Sequence, residues 1–405
     1  MSLLAFFESK GKVYKESGVT TDAMVIIRQS GVTCVRLRLF TSSAAQAAAD
    51  PYNYINNVTY TIPLAQRVKS AGLQFCLDFH YSDTWADPSH QAIPSAWTNN
   101  LSYTNLVQQM LTYNSNSIAA FRAAGAMPDY VQVGNEITGG MLWPYGEVGS
   151  PSNNWSQLAG LMNAAVQGIQ AASAGTSMPK IIVHISTGGN WNTTKWFFDN
   201  LAAQGVPFDI IGLSYYPFWD GTLANLSNCL NNAANRYHKP VSVMETAFPW
   251  NNSYWTTNIN GIVPSVTGQV QYVVALAPIV NGVSGGFGAG VFWWGTEYQS
   301  ANGVNEAGFN TASWFDTGGN VLPAAVEYGQ LSAPLNLNIQ LNSPSVQLSW
   351  PLSGAGLSLV TTTNLSTLVT WAPVTNAVQN TGTVYWVTVP LDSGPQRFYR
   401  LQSSW

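Results

Sequence analysis

Seven short apolar segments recur along the first 294 residues of this chain, and stretches with helical periodicity separate them. The segments cover residues 33–40, 73–80, 130–136, 180–186, 208–216, 241–247 and 288–294. The helices expected between them include 61–72, 156–172 and 223–237. Strands that alternate with helices indicate parallel βα units. Because hairpin signals are scarce, we predict an α/β fold of the (β/α)8 TIM barrel type, not an open doubly wound sheet.

Polar side chains gather at the carboxyl ends of five of these segments. They are Arg36 and Arg38, Asp78 and His80, Asn135 and Glu136, His184, and Glu245. A barrel carries its active site at that end of its strands, so these residues are expected to converge on one floor. Side-chain alternation also places Cys76, Asp78 and His80 on one face of their strand, which we expect to point inward.

Charge is scarce in this sequence, which narrows the classes of partner. Only 8% of the 405 residues are Asp, Glu, Lys or Arg, against a usual proportion of about a quarter. The net charge of -4, without any Lys/Arg run, argues against nucleic acid or an anionic membrane as a partner. Sixteen Trp and eighteen Tyr suit a surface that stacks on sugar rings, although any single Trp could belong to the core. Cys34, Cys76 and Cys229 are interpreted as buried thiols.

Two glutamates end two of the predicted inner strands. Glu136 follows "YVQVGN" and Glu245 follows "VSVM", three strand-helix units later. Glycoside hydrolysis requires two carboxyl groups, one to protonate the leaving oxygen and one to attack the anomeric carbon or activate water. The alternative is that each is an ordinary ion-paired strand end. The pair therefore points to a glycoside hydrolase.

Longer motifs carry a resemblance to a known family. They are "GVTCVRLRLF", "LDFHYSDTWADPSHQAIPSAW", "QVGNEITGGMLWPYG", "IIVHIS", "FDIIGLSYYPFWDG" and "VSVMETAFPW". On these motifs the chain resembles glycoside hydrolase family 53, the endo-β-1,4-galactanases of clan A, over roughly residues 5–330. The resemblance implies a retaining endo-hydrolase that cleaves β-1,4-galactan, the (arabino)galactan side chain of pectin. Glu136 would be the acid/base and Glu245 the nucleophile.

The same resemblance implies roles for neighbouring residues. Arg36 would lie close to Glu245 and favour its charged form, and Tyr216 would donate a hydrogen bond to that nucleophile. Asn135 would bind the 2-hydroxyl of the sugar at the cleavage point. Further substrate-binding residues would be His80, His184, Trp219 and Trp294. Structural alternatives stay open: Arg36 could be a buried strand arginine paired with Asp78, His184 could be a hydrogen-bonded core histidine, and Trp294 could be the aromatic lid of the core.

The segment 80–97 concentrates polar and aromatic residues. Its members are His80, Asp83, Trp85, Asp87, His90 and Trp97. Read alone, the two histidines and two aspartates invite a metal site, but their spacing matches no short zinc motif. We therefore expect a substrate-binding loop that includes Asp83, Trp85, Asp87 and Trp97. No cofactor is expected, and the short stretch 295–319 does not support the calcium site of some bacterial relatives.

The start of the chain departs from the family pattern. Family members begin with a Gly-Ala-Asp strand, which would lie just before Met1, so the first barrel strand is expected to be truncated. An unclosed barrel exposes strand edges. The composition is typical of an exported protein, and we expect a secreted, extracellular enzyme whose signal peptide is missing from this chain, acting as a monomer. A second departure is "WWGTE" after the last strand, where relatives more often carry "YWEP".

The pattern changes after residue 330. Residues 331–338 are typical of a linker, and short alternating runs without helices predict a small β-sandwich accessory domain over 336–405, after a catalytic domain over 1–330. Trp350, Trp371 or Trp386 could bind sugar there, but a spacer or attachment module is the favoured interpretation. For the barrel, activity on another β-1,4-glycan such as mannan or glucan, or a non-catalytic galactan-binding barrel, stays an alternative.

Overall fold

The first part of the chain forms a curled sheet of parallel strands surrounded by helices. In our computed structural model we describe residues 1–251, 261–330, 336–351, 357–365, 370–381, 384–391, 394 and 396–403. The sheet strands are β1 (Cys34–Leu39), β2 (Gln74–Phe79), β3 (Tyr130–Val133), β4 (Lys180–Ile185), β5 (Ile210–Ser214), β6 (Val241–Thr246) and β7 (Gly288–Trp293). They pair in chain order, from β1 at one edge to β7 at the other. All seven predicted strands are therefore present, each within the predicted bounds.

Helices connect the strands and cover the outside of the sheet. They are α1 (Leu4–Ser9), α2 (Ala23–Gln29), α3 (Ala44–Ala49), α4 (Pro51–Tyr54), α5 (Val58–Ser70), α6 (Tyr103–Ala123), α7 (Trp155–Ala172), α8 (Trp191–Ala203), α9 (Leu223–Tyr237), α10 (Val266–Asn281) and α11 (Pro323–Gln330). All six connections between consecutive strands contain a helix of at least 13 residues, as crossovers between parallel strands require. None of the described helices is both long and apolar enough to cross a membrane.

The strands form because β-branched and aromatic residues fill positions that the sheet buries on both faces. Val131 and Val133 are 0% exposed, and so are Leu37 and Leu39. The parallel register sets Arg36 beside Cys76 and Arg38 beside Asp78, so the polar ends of neighbouring strands lie level. The sheet thus delivers its polar side chains to one end, which confirms the TIM barrel architecture predicted from the sequence.

The first three residues lie beside the strand edges at that same end. The amino group of Met1 forms an ion pair with Glu297 at 3.1 Å, and the amide of Leu3 donates to the same carboxylate at 2.8 Å. The hydroxyl of Ser2 accepts a hydrogen bond from the backbone amide of Arg38, on the outer edge of β1. A cavity of about 140 Å³ lies at the amino end of the sheet and is lined by residues of all seven strands. In the described residues the two edge strands, β1 and β7, do not pair with each other.

The C-terminal part contains only β-strands among its described residues. A four-stranded sheet contains β8 (Asn338–Asn342), β9 (Ser345–Pro351), β12 (Gln379–Asn380) and β13 (Val384–Pro390), and a three-stranded sheet contains β10 (Leu357–Thr362), β11 (Ala372–Pro373) and β14 (Phe398–Ser403). The two sheets share one apolar core, as in a β-sandwich. Trp350 is 2% exposed and stacks on Tyr385, so it builds that core. The predicted linker falls largely on 331–335, outside the described residues.

Candidate active site

A cleft of about 570 Å³ opens at the carboxyl end of the strands. Both candidate catalytic residues, Glu136 and Glu245, line it. The other predicted site residues in its walls are His80, Trp85, Asp87, Asn135, Tyr216, Trp219 and Trp294. Arg36 and His184 lie beneath this surface and contact the lining residues directly. The structure therefore brings most of the strand-end residues together around one cleft.

The turn after β3 presents Asn135 and Glu136 to the cleft. Gly134 has a φ of 83° and Glu136 a φ of 50°, both in the left-handed region. A side chain at Gly134 would come within 2.7 Å of Ile137, so glycine is needed there. A left-handed glutamate is uncommon and costs conformational energy, which the surrounding contacts must offset. Such strained turns are concentrated at functional sites. This one ends the buried strand β3 and directs the Glu136 carboxyl group into the cleft.

Arg36 is the centre of the charged network under the cleft. Its guanidinium donates to Gln132 Oε1 at 2.9 Å, to Asn135 Oδ1 at 2.7 Å and to Glu245 Oε1 at 2.9 Å. It also lies 2.8 Å from Asp78 Oδ2. Burial opposes its charge, but Asp78 and Glu245 outweigh that effect and raise the pKa of Arg36. Both interpretations of Arg36 hold at once, because it pairs with Asp78 and with Glu245.

Glu245 is held in place from two sides. The guanidinium of Arg36 contacts Oε1, and the Tyr216 hydroxyl donates to Oε2 at 3.0 Å. The side chain of Glu245 is only 6% exposed, so water contributes little to its solvation. Hydrogen bonds from a cation and a phenol stabilise the negative charge of a carboxylate. The carboxyl group of Glu245 is therefore held in one position beside the cleft.

Glu136 lies in the opposite kind of environment. Burial, followed by the charge of Glu245, raises the pKa of Glu136 well above its usual value. The charge of Arg36 opposes the increase without cancelling it. The Ser214 hydroxyl lies 2.6 Å from Oε1 of Glu136. Two neighbouring carboxyls cannot both ionise cheaply in a desolvated site. The surroundings of Glu136 therefore favour its protonated form.

Buried polar residues fix the walls behind the two glutamates. His80 Nδ1 accepts from the backbone amide of Ala86 at 2.9 Å, so Nε2 carries the proton that reaches Asp78 at 3.1 Å. Gln132 donates to Asp78 and to the carbonyl of Gly134. Each polar group is thus paired, as a desolvated site requires. The network rigidifies the floor of the cleft.

An aromatic wall forms one side of the cleft. The rings of Trp85 and Trp294 lie 5.9 Å apart in an edge-to-face arrangement. The guanidinium of Arg38 lies 4.0 Å from the Trp85 ring and 4.9 Å from the Trp294 ring. These cation–π contacts, together with a hydrogen bond from the Trp85 indole to Asn53, hold the two rings. Flat indoles at a cleft wall are suited to packing against a pyranose face.

Besides Arg36 and His184, which lie beneath the cleft, two further predicted residues, Asp83 and Trp97, do not line it. The Asp83 carboxylate accepts hydrogen bonds from Thr41, Gln46 and the amide of Ser95, which stabilise its charge and lower its pKa despite burial. Trp97 is 8% exposed and packs edge-to-face on Tyr113 in the core. Both residues organise the loop that carries Trp85 and Asp87. Their direct contact with substrate stays a prediction.

The cleft also contains residues that sequence reasoning missed. They are Ala86, Pro88, Ser186, Ser214, Asp220 and Phe309. Ser214 could be predicted from the sequence, because side-chain alternation places it on the same face of its strand as Tyr216. Asp220 gives no such signal, since a polar residue before glycine is also what a turn requires. Its half-buried carboxylate accepts the amide of Tyr216 at 2.7 Å.

The acidic and histidine side chains near the cleft are committed to protein partners. Asp87 pairs with His90 at 2.7 Å, while His80 pairs with Asp78. Across the part of the chain that the structure describes, no three His, Cys, Asp or Glu side chains converge in a way that could hold a metal ion. Cys34, Cys76 and Cys229 are free thiols, the last two fully buried. The candidate reactive groups in this cleft are therefore the carboxyl groups of Glu136 and Glu245.

A parallel barrel with two glutamates facing one cleft at the carboxyl ends of its strands is the architecture of a barrel glycoside hydrolase. Residues 1–326 match the profile of glycosyl hydrolase family 53. The chain therefore belongs to that family.

Similar sequences and solved structures are consistent with membership of this family. The chain is 40% identical over 309 residues to an uncharacterized protein of Niallia circulans, covering 73% of this chain and 81% of the other. It is 37% identical over 298 residues to an arabinogalactan endo-beta-1,4-galactanase of Humicola insolens, covering 71% and 85% respectively. A structure from a study of two fungal beta-1,4-galactanases superposes with a TM-score of 0.71 at 33% identity, covering 81% of this chain and 97% of the other.

Proposed function

We propose that this protein is an endo-β-1,4-galactanase that cleaves the galactan side chains of pectic arabinogalactan. The identity to named galactanases supports the substrate, and the family supports the class of reaction. The observation that carries the proposal is the contrast between the two glutamates. The carboxyl group of Glu245 is held by Arg36 and Tyr216, whereas burial favours the protonated form of Glu136.

The two glutamates divide the reaction between them. Glu245 attacks the anomeric carbon while Glu136 transfers its proton to the glycosidic oxygen, so the carbon–oxygen bond breaks and the leaving chain departs neutral. The result is a glycosyl ester on Glu245 and an ionised Glu136. A water molecule then loses its proton to Glu136, attacks the same carbon and releases Glu245. Two inversions give net retention of configuration.

The surrounding residues support these steps. Asn135 lies beside Glu136 with its amide oxygen held by Arg36, so its side chain is fixed at the point where the sugar 2-hydroxyl would lie. Contacts to that hydroxyl strengthen as positive charge develops on the ring. Trp85 and Trp294 form a sugar-stacking wall, and Trp219 is exposed on the rim of the cleft. An open cleft with several aromatic surfaces is suited to internal cleavage of a polymer.

The direct test is reducing-sugar release from β-1,4-galactan, with β-1,4-mannan and cellulose as comparison substrates. We expect release from galactan alone, and a loss of at least about 10⁴-fold in Glu245→Ala. Asp199→Asn provides a matched control, since it removes an exposed carboxylate that pairs with Arg236 on the outside of the barrel. Release from mannan or cellulose would identify another substrate, and binding of galactan without any cleavage would indicate a binding protein.

Azide distinguishes the two glutamates. In Glu136→Ala the glycosyl ester on Glu245 still forms from an aryl β-galactobioside, and azide replaces water without needing a base. We expect rescue of the rate and a β-galactosyl azide as product. In Glu245→Ala azide occupies the position of the missing carboxylate and gives the α-azide. The opposite pairing of products would reverse the two assignments.

We also propose that the enzyme works outside the cell, on a polysaccharide, as a monomer. A pectic polymer cannot cross a membrane, so an enzyme that cuts it internally must meet it outside. Immunodetection of the protein in culture medium and in cell fractions tests the location. Light scattering coupled to size exclusion tests the monomer, whose expected mass is 43.7 kDa for this chain. Retention in cells or a stable dimer would contradict the respective part.

A further inference from the structure

A chain of hydrogen bonds runs from the proposed acid/base into the barrel core. Glu136 Oε1 lies 2.6 Å from Ser214 Oγ, which lies 2.8 Å from His184 Nε2. His184 Nδ1 lies 3.0 Å from Asn135 Oδ1. Ser214, His184 and Asn135 are 1%, 0% and 3% exposed, so water is not available to replace any link. The direction of each hydrogen bond in this chain therefore affects whether Glu136 is protonated.

The last link fixes the histidine tautomer. Asn135 Oδ1 accepts hydrogen bonds from Arg36 at 2.7 Å and from Gln132 at 3.2 Å, while its amide nitrogen donates to the carbonyl of Ala86. That atom is therefore the amide oxygen, and it can only accept. His184 Nδ1 must carry a proton to contact it at 3.0 Å. The Glu136 amide lies farther away, 3.4 Å from the same nitrogen, and does not outweigh the shorter contact.

His184 is neutral in this environment. Burial, reinforced by the positive charge of Arg36, lowers the pKa of His184 well below its usual value. With the proton on Nδ1, the other ring nitrogen, Nε2, has only a lone pair. A buried acceptor needs a donor, and Ser214 is the partner that the structure gives it. The single hydroxyl proton of Ser214 therefore points toward His184.

We infer that Ser214 and His184 are positioning residues that hold Glu136 in its protonated form. With its own proton committed to His184, the Ser214 oxygen accepts the hydrogen bond of a protonated Glu136 Oε1. This inference rests on the proposed acid/base role of Glu136. When Glu136 gives its proton to the leaving oxygen, Ser214 can rotate and donate to the new carboxylate, which leaves His184 Nε2 without a donor. The chain thus favours the acid before cleavage and opposes its premature ionisation.

Other charged groups face Glu136 from the neighbouring elements. Glu245 on β6 and Asp87 after β2 disfavour a negative charge on Glu136, and Arg36 on β1 favours it. Tyr216 and Asp220 after β5, His80 after β2 and Asn135 beside Glu136 also line the cleft. A change at Ser214 leaves all of these groups in place. Its effect on the titration of Glu136 therefore reports the direction of the Ser214 hydrogen bond.

The test is the pH profile of kcat/KM on an aryl β-1,4-galactobioside, compared between the wild type and Ser214→Ala. The alkaline limb of that profile reports the loss of the proton from the acid in the free enzyme. We expect Ser214→Ala to move this limb to lower pH, because protonated Glu136 loses its acceptor. We also expect kcat to fall roughly 10-fold. A limb that moves to higher pH, or stays in place, would overturn the inference, since Ser214 would then donate to the carboxylate or be uncoupled from it.

Leaving-group dependence separates positioning from general damage. A dinitrophenyl leaving group departs without protonation, so the loss in Ser214→Ala should shrink on that substrate and persist on a phenyl one. Equal losses on both would show that the change only damages the fold. Ser214→Thr keeps the hydroxyl and should restore the wild-type limb. Ser242→Ala removes a buried serine of β6 that donates to Gly290 at the opposite end of the barrel, and should leave the profile unchanged.

Glu136→Ala distinguishes failure of this inference from failure of the proposed function. If Glu136→Ala shows azide rescue and strong leaving-group dependence while Ser214→Ala shows neither expected effect, only the hydrogen-bond chain is wrong. If Glu136→Ala itself lacks both signatures, the acid/base assignment fails and the inference fails with it. His184→Asn removes the acceptor of the Ser214 proton and should move the alkaline limb in the same direction as Ser214→Ala. A shift in the opposite direction would contradict the proposed tautomer.

Discussion

The hydroxyl of Tyr216 donates a hydrogen bond to Glu245 Oε2 at 3.0 Å, opposite the Arg36 contact to Oε1. Burial, followed by the charges of Glu245 and Glu136, raises the pKa of Tyr216 far above its usual value, so this phenol remains a donor throughout the working pH range. Glu245 is thereby fixed in one rotamer, with one oxygen on a cation and the other on a phenol. This relationship orients the proposed nucleophile before any sugar arrives.

Removal of that hydroxyl should slow the reaction without unfolding the protein. Tyr216→Phe keeps the ring that contacts Trp219 but deletes one hydrogen bond to a charged group, which contributes about 1.5–3 kcal/mol. We expect kcat/KM on galactan to fall roughly 10- to 100-fold, with an unchanged Tm. Steady-state kinetics and thermal unfolding check both. The same change at Tyr103, outside the cleft, provides the control, and an unaltered rate in Tyr216→Phe would show that Arg36 alone is sufficient to hold Glu245.

Arg36 should be indispensable for stability as well as for activity. Arg36→Met leaves Asp78 and Glu245 buried without a cation, and breaking a buried ion pair in this way typically costs about 3–5 kcal/mol. We expect a large drop in the urea midpoint and no measurable cleavage of galactan. Arg236→Met is the matched control, because its pair with Asp199 lies on the surface and should matter little. Comparable midpoints for the two variants would mean that water reaches the Arg36 network.

The strands and the two glutamates could be predicted because each leaves a local trace in the sequence. A strand that is buried on both faces is a short, continuous apolar segment, which can be recognised without knowing its neighbours. A glutamate at the end of such a segment is easy to identify in a sequence with few charged residues. Seven predicted strands agree with the structure to within two or three residues at each end. The differences lie where a strand passes into the loop, as after Val133, where Gly134 turns the chain into the left-handed region.

The remainder of the site depended on contacts that local sequence does not encode. Asp83 resembles its neighbour Asp87 in sequence, but the loop folds so that Thr41 and Ser95 surround the first and the cleft receives the second. Trp97 likewise packs in the core, whereas Trp85 lines the cleft. Gln132 sits inside a strand as an uncharged residue, and only the structure shows that it joins Arg36 to Asp78. Such placements are decided by distant parts of the chain.

Trp219 is predicted to act in substrate binding and not in chemistry. It is 65% exposed on the rim of the cleft and contacts Tyr216, so it can stack on a sugar without supporting the core. One aromatic stacking contact contributes about 0.5–1.5 kcal/mol to the free energy of binding. Trp219→Ala should therefore raise KM for galactan about 3- to 10-fold. The kcat value should stay close to the wild-type value. Trp196→Ala removes a 37% exposed tryptophan of α8 that does not line the cleft, and should leave KM unchanged.

Asp220 gives a prediction for the pH dependence of stability. Burial raises the pKa of Asp220 from 3.8 to about 6, against the effect of the Tyr216 amide. The folded state therefore binds this proton more tightly than the unfolded chain does. The stability that protonated Asp220 contributes is fully present below the unfolded pKa and is lost as the pH rises through about 6. Asp220→Asn keeps an acceptor for the Tyr216 amide and removes the penalty of a buried charge.

We therefore expect Asp220→Asn to be more stable than the wild type at pH 7.5, by about 1–2 kcal/mol after allowance for partial exposure to solvent, and equal to it below about pH 4. Urea unfolding at both pH values measures this difference. Asp199→Asn provides a control of opposite sign, because hydrogen bonds from Arg236 lower the pKa of Asp199, and its contribution is lost as the pH falls. Equal stability at pH 7.5 would show that water reaches the Asp220 carboxylate, and a wild type more stable than Asp220→Asn would show that the carboxylate has a cationic partner.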